Sequence, residues 1–187
     1  MNRDRKLSSL ELTVLGLLWL RGPRKAYAIM KELSLSPSTY HNTRAGATYS
    51  VVNRLVEFGL VERGEHLPLP PDGAEALREW LCEPMAEAEL SYSFDPVRLR
   101  TYFLGAVEPE DRLAFIETTL AGLERVERDW MGAMDAHEAL GEYFGVLGAA
   151  GALMEVRARA TWLRIYREFL LNPAKEDWAA TVRARLG

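Results

Sequence analysis

The segment from residue 47 to residue 61 constrains the fold of this chain more than any other. Its apolar residues recur at three- and four-residue steps, at Val51, Val52, Leu55 and Phe58. This spacing predicts a helix with one apolar stripe. The glycine at position 59 is predicted to end that helix, because glycine readily adopts the left-handed conformation found at helix C-termini. A short strand is predicted to begin directly afterwards. A helix with a polar face, a glycine stop and an immediate hairpin is typical of the recognition end of a winged helix-turn-helix.

The polar residues in and just before this predicted helix are suited to contacts with DNA. They are Arg44, Thr48, Tyr49, Ser50, Asn53 and Arg54. Hydroxyl and amide groups can bond to base edges, whereas the two guanidinium groups are suited to phosphates. Tyr49 has two interpretations, a contact to the DNA backbone or a place in the core. A solvated face on a helix that only packs is the plainer alternative for the whole set.

Two helices are predicted ahead of the recognition helix. Apolar residues at helical spacing follow Ser9, a candidate N-cap, and continue to Gly22. A second helix is predicted from Arg24 to Leu33. The polar segment 34–42 is predicted to be a loop with at most one extra turn, so the recognition helix is expected to begin near residue 43.

A short two-stranded wing is predicted after the recognition helix. Residues 60–63 and 66–70 would pair across a tight turn that contains a glycine. Arg63 and His66 are the wing residues expected to reach a phosphate. Lys25, early in the second helix, is either a further phosphate contact or a solvated lysine.

The charge of the chain is distributed unevenly. Residues 1–70 carry ten Lys/Arg against six Asp/Glu, a net of +4, and residues 71–187 carry thirteen against twenty-one, a net of −8. A basic first third suits a part of the molecule that meets phosphate, although an asymmetry of this size also arises by chance.

The second half of the sequence has an almost wholly helical pattern. Two long helices are predicted over about 109–138 and 142–171, with apolar residues at coiled-coil-like spacings. The predicted fold class is therefore mainly α. A winged-helix DNA-binding domain with a two-stranded wing is expected over 1–83, and a helical dimerisation and effector domain over 84–187.

Glycine and alanine recur in the second long helix. Because a glycine inside a helix costs about 1 kcal/mol relative to alanine, the close approach of another helix would offset that cost. A dimer interface is our interpretation, and packing within one subunit is the alternative. The expected dimer contacts are Leu120, Leu123, Gly145, Gly148 and Gly151.

Aromatic residues on the long helices allow two explanations. The plainer one is a place in the core. The second is an apolar wall for a small apolar or aromatic effector, for which the candidates are Trp130, Tyr143, Met154, Trp162 and Tyr166.

Several function classes are not expected from this sequence. The three histidines and the single Cys82 lack metal-site spacing. Neither a glycine-rich phosphate loop nor a nucleophile elbow is present, so we expect no enzyme, cofactor or metal. The longest apolar run, residues 143–154, is too short to cross a bilayer, which leads us to expect a cytoplasmic protein without a membrane partner.

Many short motifs in this chain share their order and spacing with one family. They are Leu12 to Leu18, Gly22-Pro23, Tyr27, Leu33, Gly46 to Tyr49, Asn53 to Leu55, Gly59 to Val61, Leu67 to Leu69, Asp72-Gly73, Glu79 to Leu81, Phe94 to Pro96, Arg100 to Phe103 and Trp162. Together they resemble the PadR-like transcriptional regulators over about residues 9–171. The chain departs from that pattern in its short wing, which carries the acidic Glu65, and in lacking the usual serine-proline-glycine entry to the recognition helix.

The resemblance implies a homodimeric regulator, usually a repressor. Two winged helices would bind a palindromic operator in double-stranded DNA, the C-terminal helices would form the dimer, and a small molecule bound between the halves would release the DNA. The alternative is a winged-helix protein-interaction or scaffolding module with weak or no DNA binding. The short wing favours this alternative, and the polar face of the recognition helix opposes it.

Overall fold

The computed structural model describes residues 6–85, 90, 95–173 and 177–185. The chain divides into two units, Met1–Ser91 and Tyr92–Gly187. The predicted mainly α fold is confirmed, because helices account for most of both units.

In the first unit, helices surround one apolar core. The helices are α1 (Ser9–Arg21), α2 (Ala26–Ser34), α3 (Thr39–Arg44), α4 (Thr48–Glu57) and α5 (Pro71–Cys82). Fully buried residues of α1, α2 and α4 meet at its centre, among them Leu15, Ile29 and Leu55. The cap of α1 is Ser8 rather than the predicted Ser9. Ser8 and Glu11 form a capping box, in which each side chain accepts a hydrogen bond from the main-chain amide of the other.

The helix predicted as the recognition helix, α4, begins later than expected, at Thr48. The segment 34–42 contains the first turn of α3, and a 3-10 turn, Ala45–Ala47, separates α3 from α4. The far end of α4 agrees with the sequence. Gly59 has φ 71°, and the amides of Gly59 and Leu60 donate to the carbonyls of Val56 and Leu55. These are the two hydrogen bonds of a Schellman motif.

The predicted two-stranded wing is not formed, since the residues described after α4 contain no strand. The amide of Glu62 donates to the carbonyl of Pro68 at 3.1 Å, which begins the predicted pairing. The reciprocal bond is impossible, because proline has no amide hydrogen. Leu67 instead forms an isolated antiparallel bridge with Arg24, donating its amide to the Arg24 carbonyl at 2.9 Å. The wing is therefore a turn held by two main-chain hydrogen bonds, one from Glu62 to Pro68 and one from Leu67 to Arg24.

The second unit is built on a pair of long helices. Its helices are α6 (Pro96–Tyr102), α7 (Pro109–Ala139), α8 (Tyr143–Leu171) and α9 (Trp178–Arg185), with a 3-10 turn over Leu104–Ala106. The helices α7 and α8 form an antiparallel hairpin, which an ion pair between Glu127 and Arg157 bridges at 2.7 Å. Gly141, at φ 70°, makes the turn between them.

Helix α6 is held against α8 by polar contacts. Asp95 is buried, caps α6 through the amides of Val97 and Arg98, and accepts a hydrogen bond from Arg159 at 3.0 Å. The hydroxyl of Tyr166 donates to the Thr101 carbonyl at 2.9 Å. The apolar centre of this unit includes Leu104, Ile116, Leu123, Ala160 and Leu163.

Candidate nucleic-acid interface

One face of α4 is polar and open to solvent. Val51, Val52 and Leu55 turn inward and are almost completely buried, so the positions between them point outward. Ser50 and Asn53 are exposed, and the Ser50 hydroxyl donates to the Ala47 carbonyl at 2.8 Å. A hydroxyl and an amide one turn apart on an exposed helix are groups that can bond to base edges.

Thr48 does not belong to this polar face, and the prediction that it contacts bases is wrong. Its side chain is 0% exposed, and its hydroxyl donates to the Ala45 carbonyl at 2.6 Å. The physical reason is its place on the helix. Thr48 lies three residues before Val51 and four before Val52, so it continues the apolar stripe rather than the exposed polar face.

Tyr49 lies on the surface with half of its area exposed, which excludes the core interpretation. The exposed Arg44 precedes α4 and has its guanidinium 4.2 Å from the centre of the Tyr40 ring, within the range of a cation–π contact. An aromatic and basic surface therefore leads into the N-terminal end of α4. Sequence reasoning missed Tyr40, because it placed this residue in a loop.

His41 lies next to this surface but is partly buried. Its Nε2 is 3.4 Å from the Thr13 hydroxyl of α1, and its ring meets that of Tyr40 edge-on. Burial lowers the pKa of His41 below its ordinary value, because the charged imidazolium loses hydration there. His41 thus packs α3 against α1, in a setting that favours the neutral imidazole.

Arg54 lies on the flank of the polar face and is joined to α1. Its Nε donates to Oε1 of Glu11 at 3.2 Å, and 44% of the Arg54 side chain remains exposed. Glu11 itself is 0% exposed. Sequence reasoning found the arginine and missed its carboxylate partner, although the Ser8 to Glu11 capping-box spacing is visible in the sequence.

The wing brings together charges of both signs. Lys25 Nζ lies 2.6 Å from Oε1 of Glu65, so this lysine is paired with the wing rather than only solvated. Arg63 and His66 are both exposed. The turn therefore presents a limited positive surface.

Two of the predicted dimer contacts have a different role within one chain. Leu123 is buried in the core of the second unit, and Leu120 packs against that core. Heptad spacing is the same for packing within and between chains, which is why the sequence did not separate the two. Gly145 also has an explanation inside one chain, since a Cβ there would lie 2.4 Å from the ring of His137.

The remaining predicted dimer contacts lie on an open apolar face. Gly148 and Gly151 are exposed, and a Cβ added to either would meet nothing within 4 Å. Around them, Phe144 is 93% exposed, Leu147 67% and Met154 71%. These five residues follow the three- and four-residue steps of one helix face. We call them the α8 apolar face.

The five candidate effector residues do not form one site on a single subunit. Trp162 and Tyr166 pack against the core of the second unit, so the core explanation holds for them. Tyr143 and Met154 are mostly exposed, and Trp130 is partly buried. Tyr143 and Tyr166 are roughly 34 Å apart along the axis of α8, which is too far for one small molecule to touch both.

Metal sites and membrane spans are both absent from the described residues. Over residues 6–85, 90, 95–173 and 177–185, there is no group of three or more His, Cys, Asp or Glu side chains placed to hold a metal ion. None of the helices in those ranges is long and apolar enough to cross a membrane.

Comparison with solved structures identifies the fold. Bacillus subtilis PadR in complex with operator DNA has a TM-score of 0.71 at 18% identity, covering 89% of this chain and 99% of that chain. The same protein in complex with p-coumaric acid has a TM-score of 0.70 at 18% identity, covering 88% and 98%. The Vibrio cholerae virulence activator AphA has a TM-score of 0.69 at 20% identity, covering 89% and 100%. No protein-family profile and no curated protein matches the sequence.

Proposed function

We propose that this chain, which has the fold of the PadR-like transcriptional regulators, is itself a sequence-specific DNA-binding regulator of that family. The observation that carries the proposal is the exposed polar face of α4, flanked by Arg44 and Arg54, in a fold that has been solved with operator DNA in Bacillus subtilis PadR. No step of this function calls on catalysis or a cofactor.

In the proposed complex, α4 enters the major groove. Ser50 and Asn53 meet base edges there, where a good pair discriminates between bases by about 1–3 kcal/mol. Arg44, Arg54 and Tyr49 contact the flanking phosphates, which fix the position of the helix without reading sequence. Lys25, Arg63 and His66 add weaker phosphate contacts from the side of the wing.

The α8 apolar face supports a homodimer. Side chains as large as Phe144, exposed over 93% of their area, are unusual on a surface that stays in water. The exposed glycines at 148 and 151 allow a second helix to approach closely, which offsets their low helix propensity. A second copy of the chain is the proposed occupant of this face. Two recognition helices about 34–36 Å apart would then match a palindromic operator.

The direction of regulation and its effector are proposed from the neighbouring structures. Bacillus subtilis PadR has been solved with p-coumaric acid, which supports a small aromatic effector for this chain. Such a ligand releases DNA only to the extent that it binds the DNA-free arrangement more tightly. We propose a cytoplasmic repressor of this kind. AphA is described as an activator, so the fold serves either direction.

The test is selection of bound duplexes from a random pool, repeated with Asn53→Ala and Arg54→Ala. Arg78→Ala is the matched control for the arginine, because Arg78 is exposed on α5 of the same unit. We expect a palindrome with the wild type and Arg78→Ala, relaxed sequence preference with Asn53→Ala, and weaker binding to all sequences with Arg54→Ala. The proposal fails if no duplex is enriched, or if all three variants enrich the same duplexes equally.

A protein-interaction module is the second candidate, and the contact between Lys25 and Glu65 favours it. In that pair the positive charge of Lys25 is neutralised by Glu65 of the wing. In a wing that binds DNA, the lysine would instead be available to a phosphate. The same selection separates the candidates, because a module of this class would enrich no duplex.

A further inference from the structure

Glu11 is a charged residue in an unusual position. It is 0% exposed and lies between α1 and α4. Its Oε2 accepts hydrogen bonds from the amide and the hydroxyl of Ser8, each at 2.8 Å, and its Oε1 accepts one from Nε of Arg54 at 3.2 Å. A buried carboxylate is costly unless it is paired and hydrogen-bonded. Glu11 meets this requirement, because Oε2 is bonded to the N-cap Ser8 and Oε1 to Arg54 of α4.

Resting on the function proposed above, we propose that Glu11 is a positioning residue for DNA binding, which acts by holding Arg54 in the orientation that meets a phosphate. With Nε committed to Glu11 and 44% of the side chain exposed, the terminal N–H groups of Arg54 are the donors left for an outside acceptor. Two terminal N–H groups in one plane match two phosphate oxygens.

The benefit of this arrangement is preorganisation. A free arginine loses rotamer freedom when it binds, whereas Arg54 has already lost it in the folded protein. Loss of Glu11 as a partner should therefore weaken DNA binding by about two- to tenfold for each Arg54 in the complex.

A simple charge argument predicts the opposite sign. Glu11→Gln removes a negative charge close to a polyanion, which by itself strengthens binding. Glutamine at this position retains the capping box, so α1 keeps its N-terminal cap. Weaker binding by Glu11→Gln is thus a signature of positioning that neither loss of the cap nor a change of net charge produces.

The experiment measures DNA affinity over a series of salt concentrations, using the duplex selected by the wild type. The variants are Glu11→Gln and, as control, Ser8→Ala, which loses the capping hydroxyl and leaves the Glu11 carboxylate in place. We expect Glu11→Gln to bind more weakly by about two- to tenfold for each Arg54 in the complex, with a dependence of log K on log salt shallower by about one for each phosphate that the protein no longer neutralises. Ser8→Ala should bind as the wild type does while unfolding at a lower temperature.

A second measurement uses the wild-type protein alone and with its duplex. The Nε–H of Arg54 should exchange slowly with water in both states, because Glu11 holds it throughout. Fast exchange in the complex would show that Arg54 leaves Glu11 to bind, and would overturn the inference even if Glu11→Gln does not fold.

The outcomes separate this inference from the function on which it rests. Unchanged or tighter binding by Glu11→Gln overturns the role of Glu11 and leaves the proposed function intact. Unchanged affinity with an altered base preference overturns the phosphate assignment of Arg54. A wild-type protein that selects no duplex overturns both proposals.

Discussion

Lys25 Nζ lies 2.6 Å from Oε1 of Glu65, which joins the residue before α2 to the turn of the wing. Both side chains are more than half exposed, at 54% and 74%, so the pair contributes little to folding stability. Its effect is on the surface charge of the wing side, since Glu65 offsets the positive charge of Lys25.

Glu65→Gln is expected to tighten DNA binding. The substitution frees Lys25 for a phosphate, and the slope of log K against log salt should become steeper by about one for each additional phosphate that is neutralised. Affinity measured at several salt concentrations checks this. Glu75→Gln is the matched control, because Glu75 is also an exposed acid paired with a basic residue, Arg78, in the same unit. An equal gain in both variants would mean that net charge alone, rather than the Lys25 contact, sets the affinity.

Gly73→Ala is expected to destabilise the first unit. A Cβ at position 73 would lie 2.1 Å from the carbonyl oxygen of Leu60 and 2.8 Å from Cδ1 of Leu69, so α5 or the start of the wing must move. Overpacking of this kind costs about 1–3 kcal/mol. Chemical denaturation measures the change in the free energy of unfolding.

The control for that substitution is Gly16→Ala in α1. A Cβ there meets nothing within 4 Å, and alanine raises helix propensity by up to about 1 kcal/mol. The two glycine-to-alanine changes should therefore have opposite signs. A Gly73→Ala variant that is as stable as Gly16→Ala would contradict the close approach of α5 to Leu60.

Phe144→Ser is expected to weaken the proposed dimer without unfolding the chain. Phe144 is 93% exposed, so it contributes little to the fold of one subunit. A central aromatic in an interface is worth about 2 kcal/mol or more, which is about thirtyfold in the dissociation constant. Sedimentation equilibrium gives that constant.

Phe169→Ser is the control for the interface prediction. Phe169 packs edge-on against Tyr166 and Trp178 of its own chain, so its loss should lower the unfolding temperature and leave the association constant unchanged. If Phe144→Ser associates as strongly as the wild type, the α8 apolar face is not the dimer interface.

Folding stability is expected to fall in mildly acidic solution because of His41. Burial lowers the pKa of this histidine below its ordinary value of 6.5, so the unfolded chain binds the proton more readily than the folded one. By linkage, this contribution to stability is fully present above about pH 6.5 and is lost as the pH falls from there toward the folded pKa. Denaturation curves at several pH values should show the decrease.

His41→Gln should remove that part of the pH dependence. His66→Gln, at an exposed position of the wing, should leave it in place. If His41→Gln leaves the pH profile unchanged, the decrease in stability belongs to other groups.

The features that the sequence predicted well are local ones. The stripe of Val51, Val52 and Leu55 and the stop at Gly59 depend only on helical period and on a left-handed residue, and both are present. The same rule, applied with care, would have placed Thr48 inside, since it falls on the stripe. Helix α3 was not predicted from the sequence. None of its residues is buried, so its sequence has no periodic apolar pattern.

Contacts between distant residues could not be predicted in this way. Glu11 and Arg54 are separated by 43 positions, and neither residue alone indicates the other. Leu123 has a heptad position that suits a dimer as well as an intramolecular hairpin, and only the packing of α7 on α8 decides between them. The pairing of Lys25 with Glu65 likewise depends on where the wing folds back.

The prolines of the wing also limit main-chain pairing with a neighbouring polypeptide. Two of the five residues in 66–70, Pro68 and Pro70, cannot donate a main-chain hydrogen bond, and the amide of Leu67 is already taken by Arg24. A neighbouring polypeptide laid along this margin finds no continuous row of donors, so it cannot grow a shared sheet from it. The prolines that interrupt the pairing of the wing thus oppose edge-to-edge association between copies of this chain.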